Sequence, residues 1–519
     1  MNASANCDVA IVGYGPTGLA AASLLGRLGH RVLVVERWPS LYGLPRLTHI
    51  DGETARLIQS VADVDEALHD SCPTEYLWVN GQEQTLVHLP ATEDGPMGFP
   101  DDISMYQPDV EEAIDSRIRT YRGVEIRQGW VLTDLRQDEA GVTLTLRDWD
   151  AVERREGRAC DEVRARYVIA ADGSRSKVRE LLGVERDDLG FSERWLNVDA
   201  EWIRPAPEEF ALTKQFCVPE RGHMFMRIGE RRQRFEFALL PGETAEEMCE
   251  PGKAWKLLKQ LHGLGPDDLR FIRQLVYTFE SRIARRWRVG RVFLAGDAAH
   301  TMPPYLGQGA CGAMRDAVNL GWKLDLVLRG LVEDALLDTY QTERAPHVEA
   351  LTRASIALGE IANMSDPVQA AARDAAMLSG HATPPPGIPP LLDGVLQRDA
   401  DAAPVDRAGA LTPQGRIEMA GRSGRFDDVV GHGFVLVVRE RVNLPAAQAA
   451  FLESVGCAVV GLTEINDLDG RHGAFLDELG AYAYLARPDF VLFGAAPDAA
   501  SVAGLVDDLR SALHVVKES

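Results

Sequence analysis

The chain has 519 residues, 45% of them hydrophobic and 26% charged, with a formal net charge of −23 at pH 7. That length can bury cores for two or three domains, and that charge repels nucleic acid and anionic membrane surfaces, so neither is an expected partner. The seven cysteines are scattered, odd in number, and form no CxxC and no His/Cys cluster of ligand spacing, so reduced thiols and no metal site are expected.

The first six residues lack the basic start of a secretion signal, and the uncharged run from Val9 to Gly26 is broken by glycines and Pro16, which suits a strand, turn and helix better than a membrane span. The expectation is a cytoplasmic protein. Residues 9–12 read as a buried parallel strand, Gly13-x-Gly15-x-x-Gly18 as a tight turn, and residues 19–28 as a helix. The three glycines serve different ends, since Gly13 turns the chain, Gly15 admits a pyrophosphate close to the backbone, and Gly18 lets helix and strand touch. The phosphates would sit at the helix N-terminus, beside Pro16 and Thr17, where free N–H groups favour negative charge. Glu36 ends the second strand, about 20 residues on, and can accept from a ribose hydroxyl; Arg37 follows it.

A turn-rich loop then reaches Arg46, which is either a solvated charge or a phosphate clamp, and continues through His49, Asp51 and Glu53 into a helix over 54–61. Short strands flank Asn80-Gly81, a helix begins at Gln107-Pro108, and strands follow at 124–127 and 130–134. A hairpin over 141–148 and 161–165 leads to a further strand ending in Asp172-Gly173, the place where open α/β sheets bind ligands. From 191 to 282 the pattern becomes mainly antiparallel strands with one helix near 254–261, a natural wall for a substrate pocket. The first pattern resumes with a strand into Gly296-Asp297, the loop Pro303-Pro304, and a Gly-rich helix start at Gly307 and Gly309. After the stiff proline run 383–390 come strands at 434–438, 458–462, 483–486 and 490–493 with helices at 446–455 and 499–515.

The stretches Gly13-Gly15-Gly18, Asp172-Gly173 and Gly296-Asp297, in this order and at these separations, resemble the flavin-dependent aromatic hydroxylases, the group of para-hydroxybenzoate and phenol hydroxylase. Residues 33–46, the helix after Gly309, and Leu336-Leu337-Asp338-Thr339-Tyr340 through Glu343-Arg344-Ala345-Pro346-His347 bring it nearest to the 3-(3-hydroxyphenyl)propionate hydroxylase-like branch. The resemblance implies an α/β fold: a Rossmann-like FAD-binding domain (1–185 and 285–383), an inserted mainly antiparallel β-sheet substrate domain (186–284), and a thioredoxin-like α/β domain (391–519). Lacking CxxC, that last domain cannot exchange dithiols and is expected to act structurally or in a homodimer.

The resemblance further implies FAD, with NAD(P)H as a transient co-substrate, O2, and a small phenolic substrate. Glu36 would meet the adenosine ribose, Arg46 the pyrophosphate, main chain at Leu132 the adenine, Gln107 and Asp297 the ribityl chain, and amides at Gly309 and Ala310 the pyrimidine edge; Asp172 is tied to both FAD and NAD(P)H. Pro304 and Gly307 shape the loop between, where Leu306 replaces a glycine common among relatives. Oxygen would pass from a flavin C4a-hydroperoxide to an electron-rich ring, which requires the protein to position the ring, exclude water and share a phenolic proton. Asp51 and Tyr277 are the candidates for that proton, against plainer roles as a helix cap and a core aromatic. His49 is a further candidate against a hydrogen-bonded loop histidine, and Pro303 could set its carbonyl beside the ring. His223, Phe225, Arg227 and Phe237 either line the pocket or pack the sheet. The rival readings are another FAD oxidoreductase, such as a halogenase, an NAD dehydrogenase, and a binder of aromatic ligands without turnover.

Overall fold

The computed structural model describes residues 6–149, 161–380 and 387–515. The first sheet is built on Cys7–Val12, nearly all buried, which pairs in parallel with Val32–Glu36 on one side and Asp161–Ala170 on the other. Val124–Gln128 and Val292–Leu294 extend it outward. The two strands expected at 161–165 and 167–171 are one. Its alternating first half pairs with the hairpin strand Gly141–Asp148, and its fully buried second half runs between Cys7–Val12 and Val292–Leu294. Helix Pro16–Arg27 starts three residues earlier than the apolar pattern suggests because Pro16 occupies its first turn, where a missing N–H costs nothing.

A second sheet of eight strands lies over one end of the first. Its centre is the antiparallel pair Arg186–Trp202 and Leu269–Ala284, both longer than their patterns imply, followed by Arg232–Ala238, His223–Ile228 and Thr213–Phe216. Tyr76–Val79 and Thr85–Leu89 join its edge, Tyr76 registering with Thr213, and His300–Thr301 closes the other edge. One face packs Leu196, Val198, Phe225, Phe235 and Phe237 on helix Pro251–His262. The opposite face looks onto the first domain.

The C-terminal sheet runs Ala458–Gly461, Val435–Val438, Ala483–Ala486, Leu492–Ala496, with helices Ala446–Ser454, Arg471–Glu478 and Val502–Ala512 around it. This is the thioredoxin-like arrangement; helix Arg471–Glu478 had no clear sequence signal. The domain docks through buried ion pairs. Arg56 donates to Asp427 at 2.7 Å and to the Thr412 carbonyl at 2.6 Å, and Arg487 pairs with Glu343 at 2.8 Å. The described cysteines are free thiols, and no described helix is long and apolar enough to cross a membrane. Cys160 and the first half of the proline run lie outside the described residues.

Candidate functional site

The three glycine-bearing turns meet. Gly13 has φ +105°, and a Cβ there would stand 2.2 Å from the carbonyl oxygen of Ala171, so the first turn lies directly on the Asp172 turn. A Cβ on Gly18 would come 2.1 Å from the Gly13 carbonyl oxygen, whereas a Cβ on Gly15 meets nothing within 4 Å. Gly13 and Gly18 therefore close the packing, and Gly15 alone opens onto free space. Helix Pro16–Arg27 has no side-chain cap, which leaves the amides of its first turn for an anion. Thr17 bridges to the third motif: a Cβ on Gly296 would meet its Oγ1 at 2.4 Å.

At the ribose end, Glu36 accepts from the N–H of Tyr14 at 2.8 Å and of Trp38 at 3.0 Å, which fixes its carboxylate while each oxygen keeps a lone pair. Arg37 is exposed and lies over Trp38 and Trp149, 5.4 and 5.9 Å from the ring centres. Leu132 is buried, paired with Leu146. Asp172 accepts from the Val178 N–H at 3.1 Å through Oδ2, while its buried Oδ1 has no partner.

Arg46 and Asp297 face the same cleft. Both side chains reach solvent, yet each feels the other's charge. Lost solvation pushes the Asp297 carboxyl up, opposed by His300, Arg46 and Arg186. The Arg46 guanidinium lies 4.0 Å over the Tyr42 ring. Gln107 holds this loop from behind. Its Oε1 accepts from the N–H groups of Arg46 and Leu47 at 2.8 and 2.7 Å, and its Nε2 donates to Glu111. The side chain expected at the ribityl region thus also holds the Arg46 loop.

Pro304 opens a short 3-10 turn to Leu306, and Gly307, at φ +65°, starts the helix Gln308–Leu328. The left-handed residue that the loop needs is Gly307, so a leucine at 306 is accommodated. Gly307 and Gly309 have no heavy atom within 3.4 Å of where a Cβ would stand, and the helix start again lacks a side-chain cap, so the Gly309 and Ala310 amides are free donors. The carbonyl of Pro303 accepts from Ser355 Oγ at 2.8 Å.

Behind this helix start, Asp51 is fully committed. Its Oδ1 accepts from the Thr54 N–H at 2.7 Å as a helix cap, and its Oδ2 takes Gln308 Nε2 at 2.9 Å and the Arg315 guanidinium. Burial works against its charge, but Arg315, Thr54 and Gln308 outweigh it and hold the carboxyl below the usual range. The cap role describes it, with an ion pair added. Asp316, one residue on, was not singled out from sequence. Wholly buried, it accepts from His300 at 2.7 Å, the Gly296 N–H at 3.0 Å and Arg344 at 2.9 Å, and so anchors the Gly-Asp turn.

His49 sits on strand His49–Asp51 between Thr48 Oγ1 at 3.0 Å and Thr213 Oγ1 at 3.1 Å. Burial, with Arg234 nearby, lowers its pKa to about 4, so the ring is neutral at working pH. A pKa below the free value of about 6.5 means its contribution to stability is complete above pH 6.5 and is lost as pH falls through 4. We expect the wild-type protein to lose about 2 kcal/mol relative to His49→Gln between pH 6.5 and 4, read by urea titration at both values; parallel curves would refute it.

Tyr277 borders the cleft. Its hydroxyl lies 3.5 Å from Arg273 Nη1, its ring stacks on Phe279, and it neighbours Arg46. Of the two roles open to His223, Phe225 and Phe237, sheet packing is the one they fill. His223, Phe225 and Phe237 point to the far face, among Phe216, Phe210 and His262, and the Arg227 guanidinium reaches the Ala211 carbonyl. The face toward the cleft carries Trp195, Asn197, Asp199, Arg234, Glu236, Met224, Met226 and Gln215 instead. The run His-Met-Phe-Met-Arg has no polar and apolar alternation, so sequence alone left its parity open. Asp199 is buried between Arg234 and Arg273, and these two donate to the carbonyls of Pro45 and Arg46, tying the sheet to the Arg46 loop. A surface hollow lined by Arg288, Asp334, Asp338 and Gln341 contains none of these groups.

The residues fit a dinucleotide with a flavin: an open Gly15 cradle and uncapped helix at one end, a fixed ribose acceptor, and Arg46, Asp297 and a second uncapped helix at the other. Comparison with known proteins agrees. The FAD binding domain family matches residues 6–355, and the HcaD C-terminal domain matches 409–512. The chain is 38% identical to a probable NADH-specific resorcinol 4-hydroxylase of Rhodococcus jostii (strain RHA1), over 98% of this chain and 96% of that protein. It is 32% identical to a 3-(3-hydroxy-phenyl)propionate/3-hydroxycinnamic acid hydroxylase of Mycolicibacterium smegmatis (strain ATCC 700084 / mc(2)155), over 95% and 91%. A solved structure of aklavinone-11 hydroxylase with FAD and aklavinone superposes with a TM-score of 0.80 at 26% identity, covering 99% of this chain and 100% of that one.

Proposed function

Because the chain belongs to the FAD-dependent aromatic hydroxylases, we propose that it hydroxylates a small phenol with NADH as electron donor, a resorcinol-type ring being the first choice. The balance is NADH, a proton, O2 and the phenol in, and NAD⁺, water and the ring with one more hydroxyl out. What carries this reading is the meeting of the Gly15 and Gly307–Gly309 cradles with the polar face of the second sheet across the Arg46 loop. FAD, when bound, supplies the hydride acceptance and the oxygen activation that side chains cannot.

The chain's own residues do the rest. The amides after Gly15 and Glu36 would hold the adenosine end, Arg46 the phosphates, and Asp297 with Gly309 and Ala310 the flavin end. Tyr277, at the Arg273 end of the cleft, is placed to take or relay the phenol's proton. The second sheet covers the cleft and excludes water.

Purified enzyme should carry flavin absorbance, oxidise NADH faster when resorcinol is added, and yield a product one oxygen atom heavier. Tyr277→Phe should cut kcat roughly 100-fold with flavin content intact. NADH oxidation indifferent to every phenol tested would refute the reading. A second reading, a phenolic acid as substrate, rests on the Mycolicibacterium relative.

A further inference from the structure

One cross-strand row on the cleft face of the second sheet has a composition that bears on the substrate. Register places Leu275, Asn197, Glu236, Met224, Gln215 and Trp78 side by side on successive strands. Directly opposite residues share a face and lie within reach of one another. Asn197, Glu236 and Gln215 are all more than nine-tenths buried.

Their hydrogen bonding is incomplete. Asn197 Nδ2 donates to Glu236 Oε1 at 2.8 Å, which fixes the amide and leaves Asn197 Oδ1 buried with no partner. Gln215 Nε2 is turned to the carbonyls of His223 and Phe216, at 3.3 and 3.4 Å, which leaves Gln215 Oε1 buried with no partner. Asn197 is the hydrogen-bond partner of Glu236 Oε1, and burial raises the Glu236 carboxyl to about 7 against the pull of Arg234. Buried acceptors left open in this way are costly, each by about as much as a lost hydrogen bond, unless a ligand fills them. The open atoms of the row are the acceptors Asn197 Oδ1 and Gln215 Oε1 and the donor Trp78 Nε1, a set that a hydroxyl, which both donates and accepts, satisfies.

The cations around the face are equally informative. Arg234 donates to both oxygens of Asp199 and to the carbonyls of Pro45 and Arg46. Arg273 is spent on Asp199, the Pro45 carbonyl and the hydroxyls of Tyr42 and Tyr277. Arg373, at the far edge, is held by Asp374 and the carbonyls of Ile361, Ala362 and Cys217. A carboxylate brought against this row would meet Glu236 and Asp199 with no guanidinium left to pair it, an arrangement that strongly disfavours burial of an anion.

Resting on the phenol-hydroxylating function above, we propose that Asn197, Glu236 and Gln215 form the recognition row for a second ring hydroxyl, so that the substrate class is neutral benzenediols rather than phenolic carboxylic acids. The reacting phenol lies toward Tyr277, and the second hydroxyl donates into the row. The three residues position the substrate and take no part in oxygen transfer.

The test uses flavin-loaded enzyme with resorcinol, phenol and 3-(3-hydroxyphenyl)propionate as probes. Dissociation constants come from calorimetry, and NADH consumption with product mass is followed separately. Wild type should bind resorcinol at least about 10-fold tighter than phenol or the acid, the worth of hydrogen bonds to buried acceptors otherwise left open. Glu236→Gln, nearly isosteric, and Gln215→Leu should each reduce the resorcinol-to-phenol affinity ratio about 10-fold, the loss appearing in KM more than in kcat. Flavin content and melting temperature report that each variant is folded. Tighter binding of the acid by wild type, or an unchanged ratio in both folded variants, overturns the assignment. If the ratio behaves as expected but no product forms, the hydroxylase reading fails and the recognition row stands; product from the acid in preference to resorcinol sinks the row alone.

Discussion

Gly15→Val is expected to give a folded protein without flavin, and Gly18→Val no folded protein at all. The two positions sit three residues apart in one motif, yet their surroundings are opposite. At Gly18 a Cβ would stand 2.1 Å from a backbone oxygen, and backbone cannot rotate aside as a side chain can. The helix would have to lift off the strand, at a cost of more than about 3 kcal/mol from overpacking in the densest part of the core. At Gly15 the backbone is at φ −83°, ψ −171°, a conformation that valine adopts readily, and no atom lies within 4 Å. The added side chain therefore harms only what would fill that space. After gel filtration, Gly15→Val should show less than about a tenth of the wild-type flavin absorbance, since a filled cradle bars the pyrophosphate from the helix N-terminus, together with a cooperative melt by circular dichroism. Flavin retained at wild-type levels by Gly15→Val would remove the first motif from the cofactor site.

The second large effect is expected at Glu343, where the C-terminal domain meets the first. Its carboxylate accepts from Lys323 at 2.8 Å, Arg487 at 2.8 Å and Asn319 at 2.7 Å, and Lys323, Glu343 and Arg487 are wholly buried. It also accepts from the Val395 N–H at 2.8 Å. Burial opposes the charge, but Arg487 and Lys323 hold the Glu343 pKa down at about 2. Burial draws the Lys323 ammonium down to about 8 in spite of Glu343. Glu343→Ala leaves two buried cations with only Asp489 to answer them, which should cost about 3–5 kcal/mol. Urea unfolding should show the stability drop by that amount, while the exposed pair Glu349 and Arg353, one helical turn apart, should lose less than about 0.5 kcal/mol on Glu349→Ala. A loss at Glu343 no larger than at Glu349 would mean that the junction is not held by this cluster.

That cluster also gives the C-terminal domain a concrete role. Arg487 of that domain reaches the helix bearing Glu343, and Arg56 of the first domain reaches Asp427 in return. The domain is thereby fixed to helices Gly52–Val61 and Thr339–Ala362, and its Asp489 accepts from Asn319 of helix Gln308–Leu328 at 2.9 Å.

The turns expected to hold the cofactor were legible as turns because their signals are local. Gly13, Gly15 and Gly18 announce a turn by spacing, Glu36 ends the next strand, and Gly296-Asp297 ends another; each rests on backbone conformation within a few residues. For Asp51 the cap was one of two roles the sequence left open, while the hold of Gln107 on the Arg46 loop gave no local signal. Whether an amide oxygen meets a ligand or two neighbouring N–H groups depends on a loop 60 residues away. Asp316, Arg315 and the Asp199 cluster gave no signal, since a charged residue in a helix or strand reads as solvated until its burial is known.

Taken alone, the amino-acid sequence determined the α/β class, the place of the glycine turns and the family resemblance, all consequences of short-range periodicity and glycine stereochemistry. The tertiary structure alone decided which face of the second sheet looks toward the Arg46 loop. A strand shows alternate residues to opposite sides, and only the position of helix Pro251–His262 on one side and of the Arg46 loop on the other assigns Phe225 and Phe237 to the core and Asn197, Glu236 and Gln215 to the opposite face.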